Sequence, residues 1–225
     1  MNKTELTETI QSYDNSVEGF CNAIAKLTNY NETYDALAQN IQDNCAILEL
    51  ASGPAQISAY ILKTKKACVT CVDLSKKMLA AAEKKLKNCA NCITADFCMG
   101  NITDFSSGKK YDAVILGFGI PYLDSSQTEQ CIKNAAENLT KNGSIFYISF
   151  MEGTKCGFEK TSFGGENKFF INYHTKQAVQ NCLEKYGFSV QQTWALPYTE
   201  SDGSVTTDRI FLCRKMNEQP VRKGQ

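Results

Sequence analysis

Between residues 45 and 215, short unbroken apolar runs alternate with stretches whose apolar residues recur every three or four positions. The runs "CAILEL", "ACVTCVD", "YDAVILGF" and "SIFYISF" are of the first kind; "AQISAYILKTK" and "SKKMLAAAEKKLK" are of the second. This rhythm predicts strands and helices in βαβα order, hence a parallel sheet with helices on both faces. "AVILGF" and "SIFYISF" have no polar alternation, so both strands are expected to be covered on both sides, in the middle of the sheet. Ser126-x-x-Glu129 reads as a capping box, followed by the stripe Ile132, Ala135, Ala136, Leu139 and the stop Asn142-Gly143. Another helix opens near Thr175, turns Ala178, Val179, Cys182, Leu183 and Tyr186 inward, and stops at Gly187. Two final strand-like runs, "FSVQQTWAL" and "TTDRIFLCRK", flank "PYTESDGSV", whose Asp-Gly suits an antiparallel hairpin. The expected architecture is α/β: a three-layer αβα sandwich on a mostly parallel seven-stranded sheet that ends in an antiparallel hairpin.

Residues 1–44 carry two helical stripes, Val17, Phe20, Ile24, Leu27 and then Tyr34, Leu37, Ala38, Ile41, and are expected to form a helical flank or lid. The expected domain spans 45–215, and 216–225, with little apolar content, reads as a disordered tail. With 225 residues, 43% of them hydrophobic, the chain can bury one substantial core but hardly two. Lys+Arg and Asp+Glu are equal at 24 each, so no basic excess points to nucleic acid or to an anionic membrane surface. "MNKTELTETI" has no apolar signal core and no run approaches the roughly 18 apolar residues of a spanning helix, so a cytoplasmic chain is expected.

Eleven cysteines scattered through apolar stretches suit a reducing compartment in which thiols act as small buried hydrophobes. Cys68-x-x-Cys71 and Cys89-x-x-Cys92 are spaced as zinc ligands often are. The first pair, however, lies on a strand-like run, where residues i and i+3 point to opposite faces. Neither pair has the glycine or proline that tightens a zinc knuckle, so no four-cysteine site is expected.

"ELASGPA" is the first strand-to-helix turn, and in an open α/β sheet ligands bind outside such carboxyl ends at the switch point. Asp73 closes the next strand twenty residues after Gly53, the interval at which a carboxylate meets the ribose hydroxyls of a bound nucleoside. A dinucleotide fingerprint beginning at Ala51 would need glycine where Gln56 stands, and Pro54 removes an N–H where pyrophosphate would be held. A nucleoside cofactor without phosphates therefore fits better, its amino-acid end near Glu49 and the small residues that follow.

These features together resemble the Rossmann-like (class I) S-adenosylmethionine-dependent methyltransferases, in their small-molecule branch. The family's acidic residue followed by Gly-x-Gly-x-Gly is matched by Glu49 through Ala55, with alanine at two glycine positions, which keeps smallness and gives up positive-φ freedom. "VTCVDLSKKMLAAAEKK" is similar to the second motif, which implies Asp73 on the ribose, Leu74 against the adenine and Met78 nearby. "MGNITDF" resembles the third region, with Asn101 in place of an acid facing the adenine amino group, and Ile102 beside it. "YDAVILGFGIPYLD" resembles the fourth strand and its loop, which brings Gly117, Phe118 and Gly119 to the cofactor. The resemblance spans about residues 45–214 and implies Glu49, Ala51, Ser52 and Gly53 around the amino-acid end of S-adenosyl-L-methionine.

Transfer from a sulfonium is an in-line displacement with a neutral leaving group; positioning and desolvation carry it, and a base is needed only for an acceptor that starts protonated. His174, the single histidine, falls just before a helix and is the candidate base; a helix-flanking role is the plainer alternative. Tyr122 in "GIPY" resembles the tail of the Asn-Pro-Pro-Tyr motif of amino-methylating enzymes, but the asparagine is missing, which disfavours nucleobases and glutamine amides. Gly117 and Phe118 stand where metal-assisted catechol chemistry needs a carboxylate, so no metal is expected. A small, partly apolar acceptor would be held by Tyr13, Tyr30, Tyr34, the loop 152–174, Trp194 and Tyr198. Two alternatives stay open: a nicotinamide-dependent oxidoreductase, and a non-catalytic cofactor-binding protein of the same fold. Oligomeric state leaves no mark in the sequence.

Overall fold

The computed structural model describes residues 3–161, 163–199 and 203–216. Two helices, α1 (Lys3–Lys26) and α2 (Asn31–Gln39), precede β1 (Cys45–Leu50), α3 (Gln56–Ile61), β2 (Ala67–Asp73), α4 (Lys76–Leu86) and β3 (Cys92–Met99). Next come β4 (Tyr111–Leu116), a 3-10 turn at Ile120–Tyr122, and α5 (Ser125–Asn134), which runs on as one wider π-helical turn (Ala135–Leu139). After β5 (Thr140–Glu152) follow β6 (Cys156–Lys160), β7 (Lys168–Asn172), α6 (Lys176–Lys185), β8 (Phe188–Thr199) and β9 (Val205–Lys215).

The main sheet has the order β3-β2-β1-β4-β5-β9-β8. Its first five strands are parallel, and β9 runs antiparallel to both β5 and β8. This is the seven-stranded, hairpin-terminated sheet expected from the apolar rhythm. Strand order reverses between β1 and β4, so a crevice opens beyond their carboxyl ends. One face of the sheet builds a core with α2, α3 and α4, including Leu37, Ile47, Ile61 and Tyr147. The other packs Leu48, Val114, Phe146 and Phe211 against α5 and α6. Strands β4 and β5 are buried on both faces because both cores claim them.

Some local expectations shift. The capping box is Asp124 with Gln127, two residues before Ser126 and Glu129. Both pairs satisfy the pattern, but Glu129 is drawn to Lys185 Nζ (2.6 Å) and Tyr186 Oη (2.8 Å) on the neighbouring helix, leaving the cap to Asp124. The helix is over by Leu139, and Gly143, at φ 79°, shapes the start of β5 instead of stopping the helix. In α6, Val179 and Leu183 are buried and Ala178 is exposed, because Thr175 as N-cap sets the helix phase so that position 178 points to water. The Asp-Gly turn joining β8 to β9 falls partly, and the expected tail almost entirely, outside the described residues.

The segment 152–174, read as a loop, contains a second sheet formed by β6 and β7. Helix α1 docks on the open side of β7 with its polar stripe. Thr9 Oγ1 accepts the Phe170 N–H (3.1 Å), Ser12 Oγ donates to the Lys168 carbonyl (2.7 Å), and Asn167 Nδ2 donates to Ser16 Oγ (3.0 Å). The hydroxyls thus serve edge-strand groups that have no strand partner. Thr9, Ser12 and Ser16 are accordingly the buried residues of α1, while its apolar residues face the crevice.

Candidate functional site

The crevice is a chamber of about 410 Å³ at the carboxyl ends of β1, β2, β4 and β5, closed over by α1, α2 and the β6–β7 hairpin. At its floor Glu49, only 3% exposed, accepts the Ser58 N–H at 3.1 Å from the first turn of α3. Burial pushes its carboxyl up to about 7, against the pull of the Ser58 hydrogen bonds and of Lys85.

The turn that follows holds three residues in the left-handed region: Ala51 (φ 49°), Gly53 (φ 49°) and Ala55 (φ 55°). The alanines therefore adopt the backbone that the family's glycines adopt freely, at a strain of order 1 kcal/mol each. Ser52 N–H ties the turn to the Val72 carbonyl of β2 at 3.0 Å. Phe118, after β4, is a third non-glycine residue here at positive φ (55°), held by its N–H on Ser149 Oγ at 2.9 Å. Strain is thus concentrated where β1 and β4 end, beside the chamber.

Asp73, at the tip of β2, clamps two loops. One carboxylate oxygen accepts the Gly53 N–H and the other the Ser75 N–H, each at 2.8 Å. Burial raises its pKa, those backbone donors oppose the rise, and Asp14 on α1 adds to it. Ser75 caps α4 by accepting the Met78 N–H (3.0 Å) and donates its hydroxyl to Asp14, which anchors α1 beside the site.

All twelve residues assigned to the cofactor line this one chamber: Glu49, Ala51, Ser52, Gly53, Asp73, Leu74, Met78, Asn101, Ile102, Gly117, Phe118 and Gly119. Asn101 takes a further role: its Oδ1 accepts from the Thr103 N–H (3.1 Å) and hydroxyl (3.0 Å), closing the turn after β3. Gly119 has little room, since a Cβ there would lie 2.5 Å from Leu116 Cδ1 and 2.9 Å from Ala51 Cβ. Gly119→Ala is therefore expected to cost about 1–3 kcal/mol in thermal unfolding, and adding Ala51→Gly should restore part of it.

The two candidate catalytic residues separate. Tyr122 lines the chamber, its hydroxyl bonded to that of Tyr13 and its pKa pushed up to about 12 mainly by burial. His174 does not reach the lining. Its Nε2 meets the Leu123 carbonyl at 3.1 Å, its N–H donates to the Met151 carbonyl at 3.0 Å, and burial lowers its pKa. It braces the loop that carries Tyr122. Tyr13, Tyr30, Tyr34 and Tyr198 reach the chamber as expected, whereas Trp194 lies on α2 with Nε1 on Glu32 at 3.1 Å. Phe163 of the segment 152–174 also lines the chamber, as do Gln127, Met151 and Asp208, which the sequence reading passed over. A lone acid at the apolar start of "DRIFLC" was the available signal for Asp208. Among the described residues no cluster of three or more potential metal ligands occurs.

The fold is that of a Rossmann-like α/β domain with this chamber at the tips of β1 and β2. Residues 47–143 match the model of a methyltransferase domain. The chain is 28% identical over 149 residues to malonyl-[acyl-carrier protein] O-methyltransferase of Priestia megaterium, 57% of this chain and 51% of that protein, so it spans about half the length of that curated relative. Its fold is similar to that of a SAM-dependent methyltransferase from Methanosarcina mazei (TM-score 0.69, 14% identity, 81% of this chain and 98% of the other). It is also similar to Burkholderia thailandensis 1,6-didemethyltoxoflavin-N1-methyltransferase with bound 1,6-didemethyltoxoflavin and S-adenosylhomocysteine (TM-score 0.70, 12% identity, 94% and 89%). Residues 47–143 thus carry the match to a methyltransferase domain, and the fold around them is similar to that of S-adenosylmethionine-dependent methyltransferases.

Proposed function

We propose that this chain transfers the methyl group of S-adenosyl-L-methionine to a small-molecule acceptor held in the same chamber. The observation that carries the reading is Asp73, fixed by Gly53 and Ser75 at the strand tip and facing the chamber across from Glu49. Each oxygen of Asp73 accepts one backbone N–H and has a second lone pair for a ribose hydroxyl. Glu49 is the carboxylate for the ammonium, and the left-handed turn at Ala51 and Gly53 brings backbone close to it. Leu74, Met78 and Ile102 offer an apolar slot for the adenine. When bound, the cofactor supplies an electrophilic methyl group on a sulfonium. The chain's part is then to orient the acceptor and exclude water, which the aromatic cover of Tyr13, Phe20 and Phe163 suits.

No side chain is proposed as an essential base: His174 braces a loop, and the Tyr13–Tyr122 pair is kept protonated by burial. The cysteines, free throughout the described residues, fit a reducing compartment, and the cytosol is the proposed location. Among the described residues no helix is long and apolar enough to cross a membrane. Calorimetry with S-adenosylhomocysteine tests the reading. A micromolar dissociation constant is expected, and no heat at millimolar ligand would sink it.

A further inference from the structure

We propose that the acceptor part of the chamber receives an amine carried on an apolar or aromatic body, with Asp208 as the recognising carboxylate. The inference rests on the methyltransferase reading above and names the substrate class of that site.

Asp208 lies on β9, in register with Met151 of β5 and Leu196 of β8, and only 4% of it is exposed. It lines the chamber, and the Tyr30 hydroxyl donates to its Oδ2. The Tyr30 ring meets Phe118 edge-on at 5.6 Å and stacks with Tyr34 at 6.4 Å, and Tyr198 also faces the chamber. A carboxylate set among aromatic rings recognises an ammonium twice over, through a charge-assisted hydrogen bond and through the negative faces of the rings.

The charges around the chamber point the same way. Among the described lining residues the carboxylates are Glu49, Asp73, Glu159 and Asp208, and the cation is Lys160. Lys160 sits on β6 with its side chain 51% exposed and paired to Glu166 at 2.6 Å. Arg209, next to Asp208 in sequence, points to the opposite face of the sheet, as alternation requires, and binds Glu152 through Nε at 3.0 Å. With Glu49 and Asp73 serving the cofactor, Asp208 is the buried acid that belongs to the acceptor. A carboxylate acceptor would enter against like charge without a buried cation to meet it.

The test uses two probes with the same body and opposite charge, 2-phenylethylamine and phenylacetate, titrated calorimetrically into the full chain saturated with S-adenosylhomocysteine. The amine is expected to bind at least about tenfold tighter than the acid, and Asp208→Asn to bring the two within about threefold. The affinity for S-adenosylhomocysteine should stay unchanged in that variant. Tyr30→Phe, which keeps the carboxylate, should retain the order of the two probes and weaken the amine severalfold, which guards against an Asp208 variant that fails to fold. Equal or tighter binding of phenylacetate, no binding of the amine, or an unchanged ranking in Asp208→Asn overturns the proposal. If S-adenosylhomocysteine itself does not bind, the methyltransferase reading falls separately, while the ranking of the probes on the free protein still decides the charge preference.

Discussion

Replacing Asp73 by alanine should weaken S-adenosylhomocysteine at least about a hundredfold, because two charge-assisted hydrogen bonds to the ribose, each about 1.5–3 kcal/mol, are lost together. The same carboxylate holds the Gly53 and Ser75 N–H groups at 2.8 Å. The variant therefore also frees the turn after β1 and the start of α4, so its cofactor loss should exceed that of a residue that only touches ligand. Asp73→Asn keeps a single oxygen acceptor and should fall between the two. Calorimetry gives the affinities, and a circular dichroism melt separates a weakened site from an unfolded chain. An Asp73→Ala protein that folds and binds within threefold of the parent would remove Asp73 from the cofactor site.

The second large effect is on pH. Glu49 has to be ionised to hold an ammonium, and burial has moved its carboxyl up to about 7 from an ordinary 4.5. Affinity for S-adenosylhomocysteine should therefore fall about tenfold for each unit of pH below 7, as the proton competes with the ligand's ammonium. For folding the sign is the reverse. Between pH 4.5 and 7 the native chain keeps a proton that the unfolded chain has released, so this group's contribution to stability falls as pH rises through that window, by about 3 kcal/mol in all. Glu49→Gln should consequently melt higher than the parent at pH 8 while binding the ligand far more weakly and without the pH slope. A variant that melts lower at pH 8, or an affinity flat between pH 6 and 8, would contradict this account.

The sheet was legible in the sequence because strands buried on both faces leave unbroken apolar runs, and β1, β2, β4 and β5 each have one. The placement of Glu49 and Asp73 beside the chamber was legible too, since strand tips fix where both must stand. The conformation of Ala51 and Ala55 was not. Alanine at a glycine position announces lost freedom, yet the surrounding turn, tied to Val72, holds both at positive φ. His174 misled for a related reason: its place before a helix is visible in sequence, but the Leu123 carbonyl that occupies its ring is 51 residues away. Asp208 and the β6–β7 hairpin escaped because their partners, Tyr30 and α1, lie far off along the chain.

Helix α1 turns the usual amphipathic rule around, burying Thr9, Ser12 and Ser16 on β7 and presenting Leu6, Ile10, Phe20 and Ile24 to the chamber. Phe20 on that face meets Phe163 of the neighbouring hairpin at 4.9 Å, and the rest of the face borders the cavity. A residue changed on that face is therefore expected to alter the seating of the amino-terminal arm and ligand affinity together.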